Sequence, residues 1–130
     1  MLGREISRFA IVGAIGFVVD AGVLYLMLYL GLGPYLGRVV SFLAAATATW
    51  ALNRRFTFRH LIGKRASLRE WLQYLLLMGL GFCANYGVYV LVLAVLENAG
   101  RLAPMIGVAA GSLAGMGVNF VTSRTLFRRA

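Results

Sequence analysis

An all-α membrane protein with four transmembrane helices is the fold class this sequence predicts, and three observations predict it. First, the 130-residue chain is 61% hydrophobic and only 13% charged, where a soluble domain has about 45–50% and 25%. Second, the apolar residues fall in four long continuous runs. Lipid-solvated backbone allows only helices or a closed barrel, and barrel strands read as short alternating segments. Third, the basic residues gather at the ends of those runs. The only long polar stretch, Asn53 to Glu70, holds six of the thirteen: Arg54, Arg55, Arg59, Lys64, Arg65 and Arg69.

Phe9 to Leu30 is the first run, about 22 residues and enough to span a core of about 30 Å. It is longer than a signal-peptide core and shows no small-residue cleavage site, so it reads as a retained helix. The breaker cluster Gly31-Leu32-Gly33-Pro34 makes the first turn. Leu36 to Leu52 is the second span, with Arg38 near its far end. After the basic stretch, Trp71 to Leu96 forms a third span, longer than a bilayer requires. Glu97 to Arg101 is a second polar turn. Ala103 to about Val121 is the fourth span, with Pro104 tolerated in its first turn.

Loop charge fixes an orientation. The N-terminus, the basic stretch and the tail carry eleven basic residues, and the opposite side only Arg38 and Arg101. The positive-inside rule makes both termini and the basic loop cytosolic. The two halves also echo each other. Gly16-Phe17-x-x-Asp20-x-Gly22-Val23 recurs 65 positions on as Gly81-Phe82-x-x-Asn85-x-Gly87-Val88. Ser41, Ala45, Thr49 and Asn53 recur 66 on as Gly107, Gly111, Gly115 and Asn119. Arg55-x-x-Phe58 recurs as Arg124-x-x-Phe127. The expectation is a single domain over 1–130 made of two parallel two-helix repeats, about 8–58 and 71–127, joined by a cytosolic loop at 59–70.

Composition also excludes. A net charge of +9 suits nucleic acid, but every basic cluster abuts an apolar span, so it reads as topology and contact with anionic lipid; no nucleic-acid partner is expected. One cysteine, Cys83, and one histidine, His60, allow neither a disulfide within the chain nor a Cys/His metal site, and no cofactor is implied. There are four acids and no paired carboxylates, and Gly79-x-Gly81 lies inside an apolar run, so neither an enzyme nor a nucleotide fingerprint is indicated.

Asp20 is the most informative single residue. An ionisable group near the bilayer midplane costs about 2.5–3.5 kcal/mol on insertion scales and marks a functional site by default. It shares a helix face with Gly13 and Gly16 at i, i+3, i+7 spacing. It reads as an acceptor for substrate hydroxyls, as a proton-coupled carboxylate, or as a protonated group bonded to a neighbouring helix. Asn85 is its counterpart and cannot titrate. The Gly107/Gly111/Gly115 stripe reads as a close-packing seam, within one chain or between copies, or as a substrate groove, and Asn119 continues it. Arg54, Arg55 and Arg124 stand where the second and fourth spans reach the cytosol. Guanidinium suits bidentate phosphate contact, and interfacial anchoring beside Phe56, Phe58, Trp71 and Tyr74 is the alternative.

Gly13-x-x-Gly16-Phe17-x-x-Asp20, with Asn53-Arg54-Arg55-Phe56-Thr57-Phe58 after the second span, resembles the GtrA family over about Arg8 to Phe127. The second copy, Phe120 to Phe127, keeps only Arg124 and Phe127. The resemblance implies a small four-helix protein of a prokaryotic plasma (inner) membrane. It implies a flippase for polyprenyl-phosphate-linked sugars used in cell-surface polysaccharide glycosylation, working beside a membrane glycosyltransferase. Together with the repeat and helix-face readings, it gives an expected substrate-binding set of Asp20, Asn53, Arg54, Arg55, Asn85, Asn119 and Arg124, and a helix-packing set of Gly13, Gly16, Gly107, Gly111 and Gly115. Two other readings stand beside it: a scaffold or activator of a glycosyltransferase, and a small proton-coupled exporter of cationic drugs. Four helices are few for a transport path, so a homo-oligomer is expected.

Overall fold

The computed structural model describes residues 1–100 and 102–129, so the expectation for Arg101 lies outside the described residues. Among the described residues every regular element is helical. The long ones are α1 (Leu2–Tyr29), α2 (Pro34–Leu52), α3 (Leu68–Val95) and α4 (Leu102–Arg129). All four are long and apolar enough to cross a membrane. In the most apolar stretch of each, only 6–17% of residues are buried within the protein, which leaves their apolar faces to lipid.

Two helices run further than their apolar spans. α1 starts at Leu2 because its first turns are amphipathic: Glu5, Phe9 and Val12 point inward at helical spacing while Arg4 stays out. α4 continues to Arg129, turning the basic tail into helix, with Ser123 and Phe127 buried one turn apart. Each of the three 28-residue helices is about 42 Å long, well beyond a core of about 30 Å. The first turn lies where the breaker cluster puts it. Gly31 takes φ +91°, its N–H bonds Leu28 and that of Leu32 bonds Met27, the two bonds of a Schellman ending, and Pro34 opens α2.

The chain divides into two compact units, Met1–Leu75 with Leu126–Ala130, and Leu76–Thr125. In the first, α1 and α2 form an antiparallel hairpin in which Gly16 admits the Thr49 methyl where a Cβ would overlap it. At its basic end an aromatic core closes the unit. Phe9, Phe58, Tyr74 and Phe127 are 0–8% exposed, with ring centroids 5.5–6.2 Å apart from Phe9 to Phe58, Phe58 to Phe127 and Phe127 to Tyr74. The two phenylalanines of the recurring Arg-x-x-Phe motif therefore stack on each other. Phe58 and Tyr74, expected in an interfacial belt, belong instead to this core, because the first turns of α3 and the last of α4 fold onto the α1/α2 hairpin. In the second unit α3 and α4 meet along glycines. A Cβ at Gly107 would press Tyr89, one at Gly111 would strike the Asn85 carbonyl, and one at Gly115 would reach Asn85 and the Gly81 carbonyl.

Candidate functional site

Helix α2 does not end simply at Leu52. Asn53 to Thr57 wind into a π-helical turn, in which the Phe58 N–H reaches the Asn53 carbonyl at 2.8 Å, and a short 3₁₀ turn, Arg59–Leu61, follows. One extra residue in a turn is uncommon and recurs at functional sites. Side chains hold it in place. Asn53, 1% exposed, donates Nδ2 to the Tyr74 hydroxyl at 3.1 Å and accepts from Thr57 Oγ1 at 2.8 Å. Tyr74 in turn donates to Thr49 Oγ1 at 3.1 Å, and Thr49 to the Ala46 carbonyl at 3.0 Å. Each member of this buried chain is satisfied by the next, as burial demands.

The consecutive arginines of the π turn have different fates. Arg54 folds inward: its Nε donates to Glu70 Oε1 at 2.9 Å and its Nη2 to the Lys64 carbonyl at 2.5 Å. Glu70 is 5% exposed, takes a second bond from Trp50 Nε1 at 3.1 Å, and is itself fixed at the start of α3 by Ser67, whose Oγ accepts the Glu70 N–H. Arg55 points out. With Arg54, Arg59, Lys64 and Arg65 it lines a groove floored by Trp50 and Ala51, and with Arg8, Arg59 and His60 it lines a second hollow beside Phe56. Among the described residues, Arg55, Arg59, Lys64 and Arg65 have no acidic partner. The groove therefore presents unneutralised cations, with guanidinium forks that match phosphate oxygens. Two residue pairs stand at the second hollow. Arg8 lies 4.7 Å over the Phe56 ring and donates to the Phe56 carbonyl at 3.1 Å, and His60 Nε2 meets the buried Glu5 Oε1 at 2.7 Å.

The other residues singled out by sequence lie elsewhere. Asp20 pairs with Arg38 Nη1 at 2.5 Å. It stands twelve residues past Arg8 on α1, about 18 Å along the helix axis and so well away from the groove. Asn85 packs beneath Gly111 and Gly115 within the second unit. Asn119, in the same unit, abuts Gly81, and its buried Oδ1, like Ser123 Oγ one turn on, has no hydrogen-bond partner among the described residues. Arg124 is partly buried on α4. Gly107, Gly111, Gly115 and Gly16 sit at helix contacts. A Cβ at Gly13 would meet nothing within 4 Å outside its own helix backbone; three residues turn a helix by about 300°, which places it about 60° round from Gly16. Of the predicted binding set, then, the structure brings together Asn53, Arg54 and Arg55.

Glu70, Trp50, Tyr74 and Arg38 were not among the site residues expected from sequence; Tyr74 was expected only as an interfacial aromatic and Arg38 only as a far-side charge. Signals for two of them were present. Ser67-x-x-Glu70 is a capping-box pattern, and an acid in a membrane span calls for a basic partner on a neighbouring helix, which Arg38 provides.

Four membrane-length helices, with a buried polar network beside an open groove lined by cationic side chains at the end of α2, define a multi-pass membrane protein. The chain belongs to the GtrA/DPMS transmembrane-domain family, whose model matches residues 8–127. Membership places it among membrane proteins concerned with lipid-linked sugars.

Proposed function

We propose that this chain is a flippase that carries a polyprenyl-phosphate-linked sugar across the plasma membrane, for glycosylating cell-surface polysaccharide. Both termini and the basic groove face the cytosol in this reading, as the eleven-to-two loop charge requires. The observation that carries it is the groove itself. Among the described residues, Arg55, Arg59, Lys64 and Arg65 stand without acidic partners where an apolar helix meets its polar end. A substrate with one phosphate at the root of a long apolar chain is complementary to that arrangement. Its phosphate meets guanidinium at the membrane surface while its prenyl tail lies along lipid-facing helix. Asn53 and Arg54 hold the groove in shape through Tyr74 and Glu70. Asp20, Asn85 and Asn119 offer acceptors for sugar hydroxyls, and Arg124 a further phosphate contact. No bond is made or broken. A membrane glycosyltransferase supplies the lipid-linked sugar, and the working unit is a homo-oligomer.

The test is direct translocation. Purified protein is reconstituted in vesicles, and movement of a polyprenyl-phosphate sugar between leaflets is followed with and without Arg55→Gln. Transport that falls at least tenfold in the variant supports the reading. Absent translocation with stimulation of a co-reconstituted glycosyltransferase points to a scaffold, and pH-driven efflux of a cationic dye to an exporter; either outcome overturns it.

A further inference from the structure

Arg38 is rooted at the end of the membrane span opposite the groove, and it does not reach for the nearer surface. Its neighbour Gly37 packs against Leu24, Met27 and Leu28 of α1. Its guanidinium nevertheless reaches Asp20, four to eight residues nearer the groove, about 6–12 Å along the helix. A lone arginine at such a position snorkels outward instead. The pair is also open. Asp20 is 21% and Arg38 57% exposed at the side chain, and among the described residues only Nη1 of the guanidinium is engaged. An ion pair at membrane depth, half uncovered and with free donors, is expensive unless a polar ligand covers it.

We propose that Arg38 is a second phosphate-binding group for the lipid-linked substrate, and that Asp20 occupies it when no substrate is present. This rests on the transport reading and deepens it. The Asp20 carboxylate stands in for a phosphate oxygen on Nη1. An arriving lipid phosphate takes the guanidinium, using the two unengaged nitrogens for bidentate contact, and releases Asp20 to accept hydroxyls of the attached sugar. The substrate phosphate thus has two stations, Arg55 and Arg59 at the groove and Arg38 deeper in the span. The Asp20–Arg38 pair keeps the deeper one neutral while it is empty, which limits the cost of a bare cation in lipid.

Competition and mere structural support differ in sign, and binding of polyprenyl phosphate without sugar reads that sign. The full chain is placed in zwitterionic nanodiscs with Arg55 and Arg59 both changed to Gln, so that the remaining affinity reports the deeper station. Asp20→Asn removes the internal competitor and is expected to raise affinity about tenfold, the scale of one charge-assisted hydrogen bond. Arg38→Gln lowers it by at least as much, Arg38→Lys by less, and the Asp20→Asn/Arg38→Gln double variant matches Arg38→Gln. Water-soluble inorganic phosphate does not compete. Affinities that fall together, or do not move, in Asp20→Asn and Arg38→Gln overturn the inference, and so does competition by inorganic phosphate. If the unaltered chain still translocates substrate in vesicles under those results, the transport reading stands without it. If the unaltered chain neither binds polyprenyl phosphate nor translocates its sugar-linked form, both fall.

Discussion

Glu70 offers the sharpest test of how the basic end is held. It is buried, and both of its side-chain bonds, from Arg54 Nε and Trp50 Nε1, fall on the same oxygen, Oε1. Glu70→Gln preserves an oxygen at that place and the shape of the side chain, so both bonds survive as contacts to a neutral acceptor. Charge-assisted bonds are about twice as strong as neutral ones, and a bond to a charged group contributes about 1.5–3 kcal/mol. Halving two of them costs about 2 kcal/mol. Arg54 softens this, since its side chain is 17% exposed and keeps the Lys64 carbonyl. Glu70→Ala is worse, because Trp50 and Arg54 both lose their partner and a cavity opens; about 3–5 kcal/mol is the scale for one-sided removal of a buried pair. Reversible unfolding in mixed detergent, followed by tryptophan fluorescence, gives the two differences. Adding Arg54→Gln to Glu70→Gln should cost less than the separate losses together, since each removes the same interaction. Strict additivity, or a Gln variant as stable as the parent, would refute the view that this carboxylate organises the groove.

Three further outcomes are expected. Tyr74→Phe leaves Asn53 Nδ2 without its acceptor and costs about 1–3 kcal/mol in the same unfolding assay, with faster hydrogen exchange at Thr57 and Phe58 as the π turn loosens. Gly111→Ala destabilises by about 1–3 kcal/mol, because a Cβ there falls 2.5 Å from the Asn85 carbonyl, whereas Gly13→Ala, with nothing within 4 Å, stays near neutral; equal effects would contradict the α3/α4 contact. With Cys83 changed to Ser, a cysteine at Ala66 reacts with an impermeant maleimide only after spheroplasts are opened, and labelling of intact spheroplasts would reverse the orientation.

Much of the fold was legible because lipid imposes a simple rule. Continuous apolar runs must be helices, and Gly31 with Pro34 must break them, so four spans and the first turn follow from residue order alone. The ends of the helices were less legible. Leu2 to Arg8 and Thr122 to Arg129 are polar enough to read as tails, yet they are helical because Glu5 and Phe9 at one end, and Ser123 and Phe127 at the other, present a buried face. Hydropathy does not register a face that narrow. The site was half legible. Basic residues at Asn53 to Phe58 mark a phosphate-sized concentration of charge, but no local pattern reveals that Arg54 turns in and Arg55 out. That depends on Glu70 and Tyr74, contributed from more than fifteen residues away by α3.

The division between those arginines follows from the π turn. Asn53 and Thr57 both face the interior, bonded to each other, while Arg55 and Phe56 between them face out. Were the segment loose, ordering it around a phosphate would cost roughly 0.5–1.5 kcal/mol for each immobilised side chain. Instead the buried chain from Thr57 through Asn53 and Tyr74 to Thr49 fixes the backbone, and Glu70 fixes Arg54, before any ligand arrives. Only the mobile ends of Arg55, Arg59, Lys64 and Arg65 remain to be ordered. The polar residues buried at the end of α2 are therefore what hold the backbone beneath the exposed cations, and under the proposed transport function a substrate that must be released after crossing is better served by a stiff cradle with soft contacts than by a loop that closes around it.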